Sequence, residues 1–230
     1  MTKEALLMTI AVLGGTGREG KGLAYRWAKA GYRVLIGSRS SEKAVKAASE
    51  IMEILEGSSS VVGMTNPEAA QQADIVVLTV PYTAHRETLN DVKDLLKGKL
   101  LVDTTVPLVP PKLSKVQMPA AGSAAQEAKE IVGEDVEVAA AFQNVSYKHL
   151  IGEEHVECDV LVTGSSKKAR EEALKLVAAA DLTGWDAGPI ENSVVVEGLS
   201  SVLLNINRLY GSKHSGIKIT GVPARSAEST

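Results

Sequence analysis

Residues 11–22 read "AVLGGTGREGKG": three apolar residues, then five glycines. The stretch prolongs the apolar run "MTIAVL" and opens a helical pattern, so it reads as strand, tight turn and helix start. Within it, Gly15-Thr16-Gly17-Arg18-Glu19-Gly20 has the spacing G-x-G-x-x-G. That spacing is informative when a strand precedes it and a helix follows. Gly15 then permits the turn, Gly17 lets a pyrophosphate approach the backbone, and Gly20 lets the helix pack closely on the strand. The helix start supplies unpaired N–H groups and about half a positive charge. The missing side chains leave room for a dinucleotide.

Working outward, "RVLIG", "SVVGM", "DIVVLTV", "KLLVDT", "VEVAAA" and "DVLVTG" are short, nearly continuous apolar runs. Such runs fit strands buried on both faces of a parallel sheet. Helical patterns separate them. Leu23, Ala24, Trp27 and Ala28 share one face, and Gly31 stands where a left-handed helix end needs it. Ser40 or Ser41 caps a second helix, Pro67 opens a third, and a fourth is expected over about 84–96. The repeated β-α order predicts an α/β fold: a doubly wound, Rossmann-type parallel sheet. A proline-rich loop at 104–119 precedes a helix over about 123–132. A smaller C-terminal α/β domain follows, with the Cys158 strand, a helix over about 166–180, the segment "TGWDAGPI", and a last helix over about 192–210. That helix carries a wide apolar face of Val195, Leu199, Val202, Leu203, Ile206 and Leu209, expected to pack in the small domain or against a second copy. The division expected is residues 1–142, 143–222 and a tail at 223–230.

The end of the second strand selects the dinucleotide. An NAD site places a carboxylate there for the ribose 2′-hydroxyl. This chain has Ser38-Arg39, with Lys43 one turn later. A guanidinium forks onto a 2′-phosphate that a carboxylate would repel, so NADP(H) is expected. "LTVPYTAH" leaves the carboxyl end of another strand, where ligands sit in such sheets. Val80 and Pro81 are therefore assigned to the nicotinamide side, and Thr79 beside them to the cofactor. His85 reads as structural, and Asp103 as the cap of the turn after its strand. His149, His155 and His214 lack metal-ligand spacing, and no metal site is expected. The chain has 230 residues and a formal charge of −3, with no basic stripe interleaved with aromatics, which argues against nucleic acid. Aromatics are 3%, so the core must be aliphatic. No apolar run approaches a membrane span, and the N-terminal residues lead into the first strand without signal-peptide character. The single cysteine, Cys158, reads as a core thiol, and a cytoplasmic protein is expected.

"AVLGGTGREGKGLA", "IGSRSSEKA", "LTVPY", "GSAAQEA", "WDAGPIENS" and "LLNINRLYGSKHSGIKI" together resemble the NADPH:coenzyme F420 oxidoreductases, from about Met8 to Val222. The resemblance implies a homodimer that transfers hydride between NADP(H) and the deazaflavin F420. It implies that Thr16, Gly17, Arg18 and Glu19 hold the pyrophosphate, and that Ser38, Arg39 and Lys43 hold the 2′-phosphate. Val80, Tyr82 and Asn144 would lie near the nicotinamide, and Gln143, Val145, Ser215 and Gly216 near the deazaflavin. Hydride transfer between stacked rings needs no acid–base side chain, so no catalytic residue is assigned. Gln143 or backbone donors would stabilise charge on the deazaflavin N1–carbonyl edge. Many family members have histidine where Gln143 stands, and Tyr147 replaces a small residue. Two other readings stay open: an NADPH-dependent reductase of a flavin, quinone-like compound or ferric chelate, and a non-catalytic NADP(H)-sensing module.

Overall fold

A computed structural model describes residues 8–57, 60–152 and 156–222. The expected tail and His155 lie outside these residues. The elements are β1 (Thr9–Leu13), α1 (Arg18–Lys29), β2 (Arg33–Ser38), α2 (Ser41–Ile54), β3 (Val61–Thr65), α3 (Asn66–Gln72), β4 (Ile75–Leu78), α4 (Tyr82–Val92), β5 (Leu100–Asp103), α5 (Ala124–Val132), β6 (Glu137–Ala140), β7 (Asp159–Gly164), α6 (Lys167–Ala179), β8 (Thr183–Pro189) and α7 (Ser193–Tyr210). They build one sheet in the order β3-β2-β1-β4-β5-β6-β7-β8. The first six strands are parallel, in the doubly wound arrangement.

Alternation along β1 shows how the sheet makes two cores. Successive strand side chains point to opposite faces. Ile10 and Val12 join Trp27 of α1, Ile51 of α2 and Leu176 of α6 on one face. Ala11 and Leu13 join Ala69 of α3, Leu89 of α4 and Ala128 of α5 on the other. Helices therefore cover both faces, which is why the central strands carry apolar residues throughout. Trp27 meets Phe142 edge-on at 5.8 Å, and its indole N–H donates to the Leu176 carbonyl at 2.9 Å.

The local signals act as expected at several ends. Ser40 accepts the Lys43 N–H, and Thr65 with Glu68 forms a reciprocal cap on α3. Gly31, at φ +94°, follows α1. The fourth helix starts and ends earlier than expected, at Tyr82–Val92, and continues as one 3₁₀ turn over Lys93–Leu95.

Strand β7 departs from the parallel pattern. It runs antiparallel to β6, pairing only Gly164 with Ala139 and Thr163 with Ala140. A parallel neighbour needs a crossover, usually helical. Between β6 and β7 the described residues hold only the 3₁₀ turn Tyr147–His149, so the chain comes straight back. The start of β7 thus overhangs the carboxyl ends of the parallel strands, and β8 pairs with it in parallel. The expected boundary at 142/143 falls where the chain leaves β6, and strands on both sides of it share the sheet. Among the described residues, no helix is long and apolar enough to cross a membrane.

The tightest approach lies between β3 and α2. A Cβ on Gly63 would overlap the backbone of Ala44 and Val45. Backbone cannot swing aside as a side chain can. Gly63→Ala should therefore cost about 1–3 kcal/mol in urea unfolding at unchanged m-value.

Candidate functional site

Strands β1 and β4 are neighbours, but their following helices lie on opposite faces. A crevice opens at their carboxyl ends, where the strand order reverses. Thr79 bridges it, its hydroxyl donating to the Leu13 carbonyl at 2.9 Å. A single cavity of about 710 Å³ occupies this place, within the range of about 300–1,000 Å³ usual for ligand sites.

The glycines divide their labour in the loop. Gly14, not singled out in the sequence, takes the left-handed conformation at φ +73° and lines the cavity. The Gly-Gly doublet was its signal. Gly15 lies beneath: a Cβ there would come 2.7 Å from the Val12 carbonyl oxygen, and its N–H donates to the Gly37 carbonyl at 3.1 Å. Gly20 also sits behind the cavity, where a Cβ would come 2.5 Å from Thr79 Oγ1. Gly17 lines the cavity and has only the Gly14 carbonyl oxygen, at 3.5 Å, near its missing Cβ. It occupies the N-cap of α1 without a side chain to cap it. The first-turn N–H groups that a capping side chain would satisfy are left for an anion.

Other assigned residues converge on the same space. Thr16, Arg18, Glu19, Ser38, Arg39, Lys43, Thr79, Val80, Pro81, Tyr82, Gln143, Asn144, Val145 and Ser215 line the cavity. Arg39 and Lys43 share the end beyond β2, and no ion pair engages either among the described residues. Gly216 is not in the lining; it packs on Cys158, whose Sγ lies 2.6 Å from where a Cβ would stand. Arg18 reaches Tyr147 across the mouth, donating to its hydroxyl at 2.8 Å with the guanidinium 5.3 Å from the ring centre.

Gln143 and Asn144 are buried in the wall. Gln143 Nε2 donates to the Asp103 carbonyl at 2.9 Å, and Asn144 Nδ2 donates to the Val196 carbonyl at 3.0 Å. Among the described residues, the buried oxygens Gln143 Oε1, Asn144 Oδ1 and Thr105 Oγ1 have no partner. The Asp103 carbonyl takes one of the two N–H groups on Gln143 Nε2. A buried polar atom left unpaired costs about 1–3 kcal/mol.

His85 is fully buried, its Nε2 2.7 Å from Asp103 Oδ2. Asp103 also accepts the Thr105 N–H at 2.9 Å, the turn cap expected. Sequence reading missed the wall supplied by Asn66, Thr104, Thr105, Ser200, Leu203, Leu204 and Asn207. The last four belong to α7, which turns small polar residues inward and leaves Val195, Val202, Ile206 and Leu209 exposed.

A cradle of bare amides and a cationic end, at the carboxyl ends of a doubly wound sheet, define a dinucleotide-binding α/β protein. The model of the family "NADP oxidoreductase coenzyme F420-dependent" matches residues 9–107. An F420-dependent NADP reductase of Methanothermobacter thermautotrophicus is 41% identical over 227 residues, covering 96% of this chain and 98% of that protein. One from Methanocaldococcus jannaschii is 37% identical over 94% and 99%. A crystal structure from Arthrobacter sp. FB24 shares the fold, with TM-score 0.77 and 24% identity over 93% of this chain and 99% of that one. The chain belongs to the F420-dependent NADP reductase family.

Glu19 carries a testable consequence. Burial pushes its carboxyl up to about 8. The positive end of α1 opposes this by at most about 2 kcal/mol, too little to reverse the direction. At neutral pH the group is a neutral acid, able to donate to a phosphate. Above about 8 it ionises and repels one. NADPH affinity should hold below that pH and fall above it, and Glu19→Gln should abolish the fall. A pH series of dissociation constants for both proteins checks this. The same shift lowers fold stability as pH rises from about 4.5, the penalty levelling off above about 8.

Proposed function

We propose that this chain transfers hydride between NADP(H) and the deazaflavin coenzyme F420. The observation that carries the reading is one continuous cavity, from Arg39 and Lys43, past the glycine loop, to Gln143 and Asn144. The curated relatives named F420-dependent NADP reductase support it along nearly the whole chain. When bound, the two rings supply the chemistry itself, hydride passing between nicotinamide C4 and deazaflavin C5. The protein's part is to bind, orient and exclude water.

In this reading Gly17 and the α1 amides hold the pyrophosphate, with Thr16, Arg18 and Glu19 around it. Ser38, Arg39 and Lys43 hold the 2′-phosphate. Thr79, Val80, Pro81, Tyr82 and Asn144 wall the nicotinamide. Gln143, Val145, Ser215 and Gly216 belong to the deazaflavin side, Gly216 acting through its packing on Cys158. Residues 143–222 act as the part that closes the cleft over 1–142. A free, buried cysteine fits a cytoplasmic setting.

Mixing the protein with NADPH and either F420 or FMN tests the activity. NADPH absorbance should fall with F420 and not with FMN. Loss with FMN alone, or binding without turnover, would overturn it. Charge-assisted bonds contribute about 1.5–3 kcal/mol each, so Arg39→Ala should weaken NADPH binding at least tenfold and leave NADH nearly unaffected. Equal losses would refute the 2′-phosphate role.

The outer face of α7 supports a homodimer. Val195 and Leu209 are each 63% exposed, and Val202 46%. A contiguous apolar face of this kind marks an interaction surface. Light scattering should give twice the chain mass, and Val195→Asp with Leu209→Asp should halve it. A wild-type protein at single-chain mass would contradict the dimer.

A further inference from the structure

Hydride is only part of the reaction's balance. Forming NADPH from reduced F420 moves two electrons and one hydrogen as hydride, and it leaves one proton over. The reverse direction takes one up. A cavity that excludes water must hand that proton to a protein group.

One polar assembly runs behind the wall from Tyr82, and its buried members His85 and Glu127 have no part in the roles assigned above. Tyr82 lines the cavity, and its hydroxyl donates to Glu127 Oε2 at 3.1 Å. Glu127 Oε1 lies 3.4 Å from His85 Nδ1, and His85 Nε2 lies 2.7 Å from Asp103 Oδ2. Arg86, whose side chain is 65% exposed, meets Glu127 Oε2 at 3.2 Å. On α5, Glu127 Oε2 thus meets both a cavity phenol and a solvent-facing guanidinium, while Oε1 faces His85. From α7, Glu197 accepts the N–H groups of Ala124 and Ala125, which begin the helix that carries Glu127. Among the described residues, the titratable and charged groups facing His85 are Tyr82 and Arg86 on α4, Asp103 on β5, Glu127 on α5 and Glu197 on α7.

Charges taken out of water cost several kcal/mol each unless paired, and apolar residues would fill such a space as well. The assembly needs a reason beyond packing. Burial lowers the proton affinity of His85, but Asp103 and Glu127 outweigh it, so the net direction is up. Burial and Glu127 push the Tyr82 hydroxyl up to about 12. The phenol therefore stays protonated, and it conducts by giving its own proton as it gains another.

Resting on the hydride-transfer reading, we propose that Tyr82 and Glu127 form the proton exit of the cavity. Tyr82 Oη gains the proton lost from the N1–H bond of reduced F420 as its own O–H bond breaks toward Glu127 Oε2, which then releases the proton to water beside Arg86. His85 and Asp103 are positioning residues that hold Glu127 in line. Reduction of F420 runs the same path inward.

Two measurements test this. In a weakly buffered stopped-flow reaction of reduced F420 with NADP⁺, NADPH absorbance and a pH-indicator dye should move together in the wild type. In Glu127→Gln, and separately in Tyr82→Phe, proton release should slow at least tenfold against hydride transfer in the wild type. The second needs no turnover. Calorimetry of NADP⁺ and NADPH binding, in buffers of different ionisation enthalpy, counts protons exchanged. The cationic ring should drive a fraction of a proton out of the network with NADP⁺ alone, and Glu127→Gln should erase the difference. The phosphates are common to both ligands, so Glu19 cancels. Release that keeps its wild-type rate in both variants would overturn the relay. Equal proton counts for the two ligands in the wild type would do the same.

Discussion

Helix α1 must start against β4 with almost no side chain between them, and the rest of the site follows from that contact. Gly20 rests on Thr79, whose hydroxyl ties β4 to the end of β1. A side chain at Gly20 would push the helix outward and carry its free N–H groups off the crevice. The same helix fixes the opposite wall. Gly22 admits the Leu150 side chain, and the Arg26 guanidinium donates to the Leu150 and His149 carbonyls, both at 2.7 Å. One rigid cylinder thereby sets the distance between phosphate cradle and ring-side wall. Positioning at that level is what hydride transfer between stacked rings demands.

The first six strands were legible because burial on both faces writes apolar residues at every position, a signal that survives without tertiary knowledge. The loop glycines were legible because each solves a separate steric problem. Arg39 was legible as a cation where an NAD site has a carboxylate. What stayed hidden depends on partners distant in sequence. The direction of β7 follows from the missing crossover helix, not from "DVLVTG" itself. The face of α7 was expected to bury its valines and leucines, yet Asn144, Gln143 and Ala124 call for hydrogen bonds, so Val196 carbonyl, Ser200 and Glu197 turn inward instead. His85, Asp103 and Glu127 meet across 18 and 42 residues of chain, and no spacing rule announces such a cluster.

Gln143 shows how neighbours orient a side chain whose identity leaves its role open. An amide side chain presents donors and acceptor on opposite branches. The Asp103 carbonyl takes one N–H of the nitrogen branch, and the oxygen is left buried without a partner among the described residues. Asn144 is turned the same way by Val196 and Ser200. Two acceptors cannot satisfy each other, so the wall keeps both bonds unmade.

The cavity is polarised along its length: cations beyond β2, bare donors at the start of α1, and two amide side chains in the wall after β6. A dinucleotide laid the proposed way puts phosphates on the first two and its ring near the third. Reversed, it would carry its phosphates away from both the guanidinium and the free amides, forfeiting charge-assisted bonds of about 1.5–3 kcal/mol each. In the proposed arrangement the phosphate end meets the same groups in oxidised and reduced cofactor, and only the ring-side wall meets the change of charge at the nicotinamide.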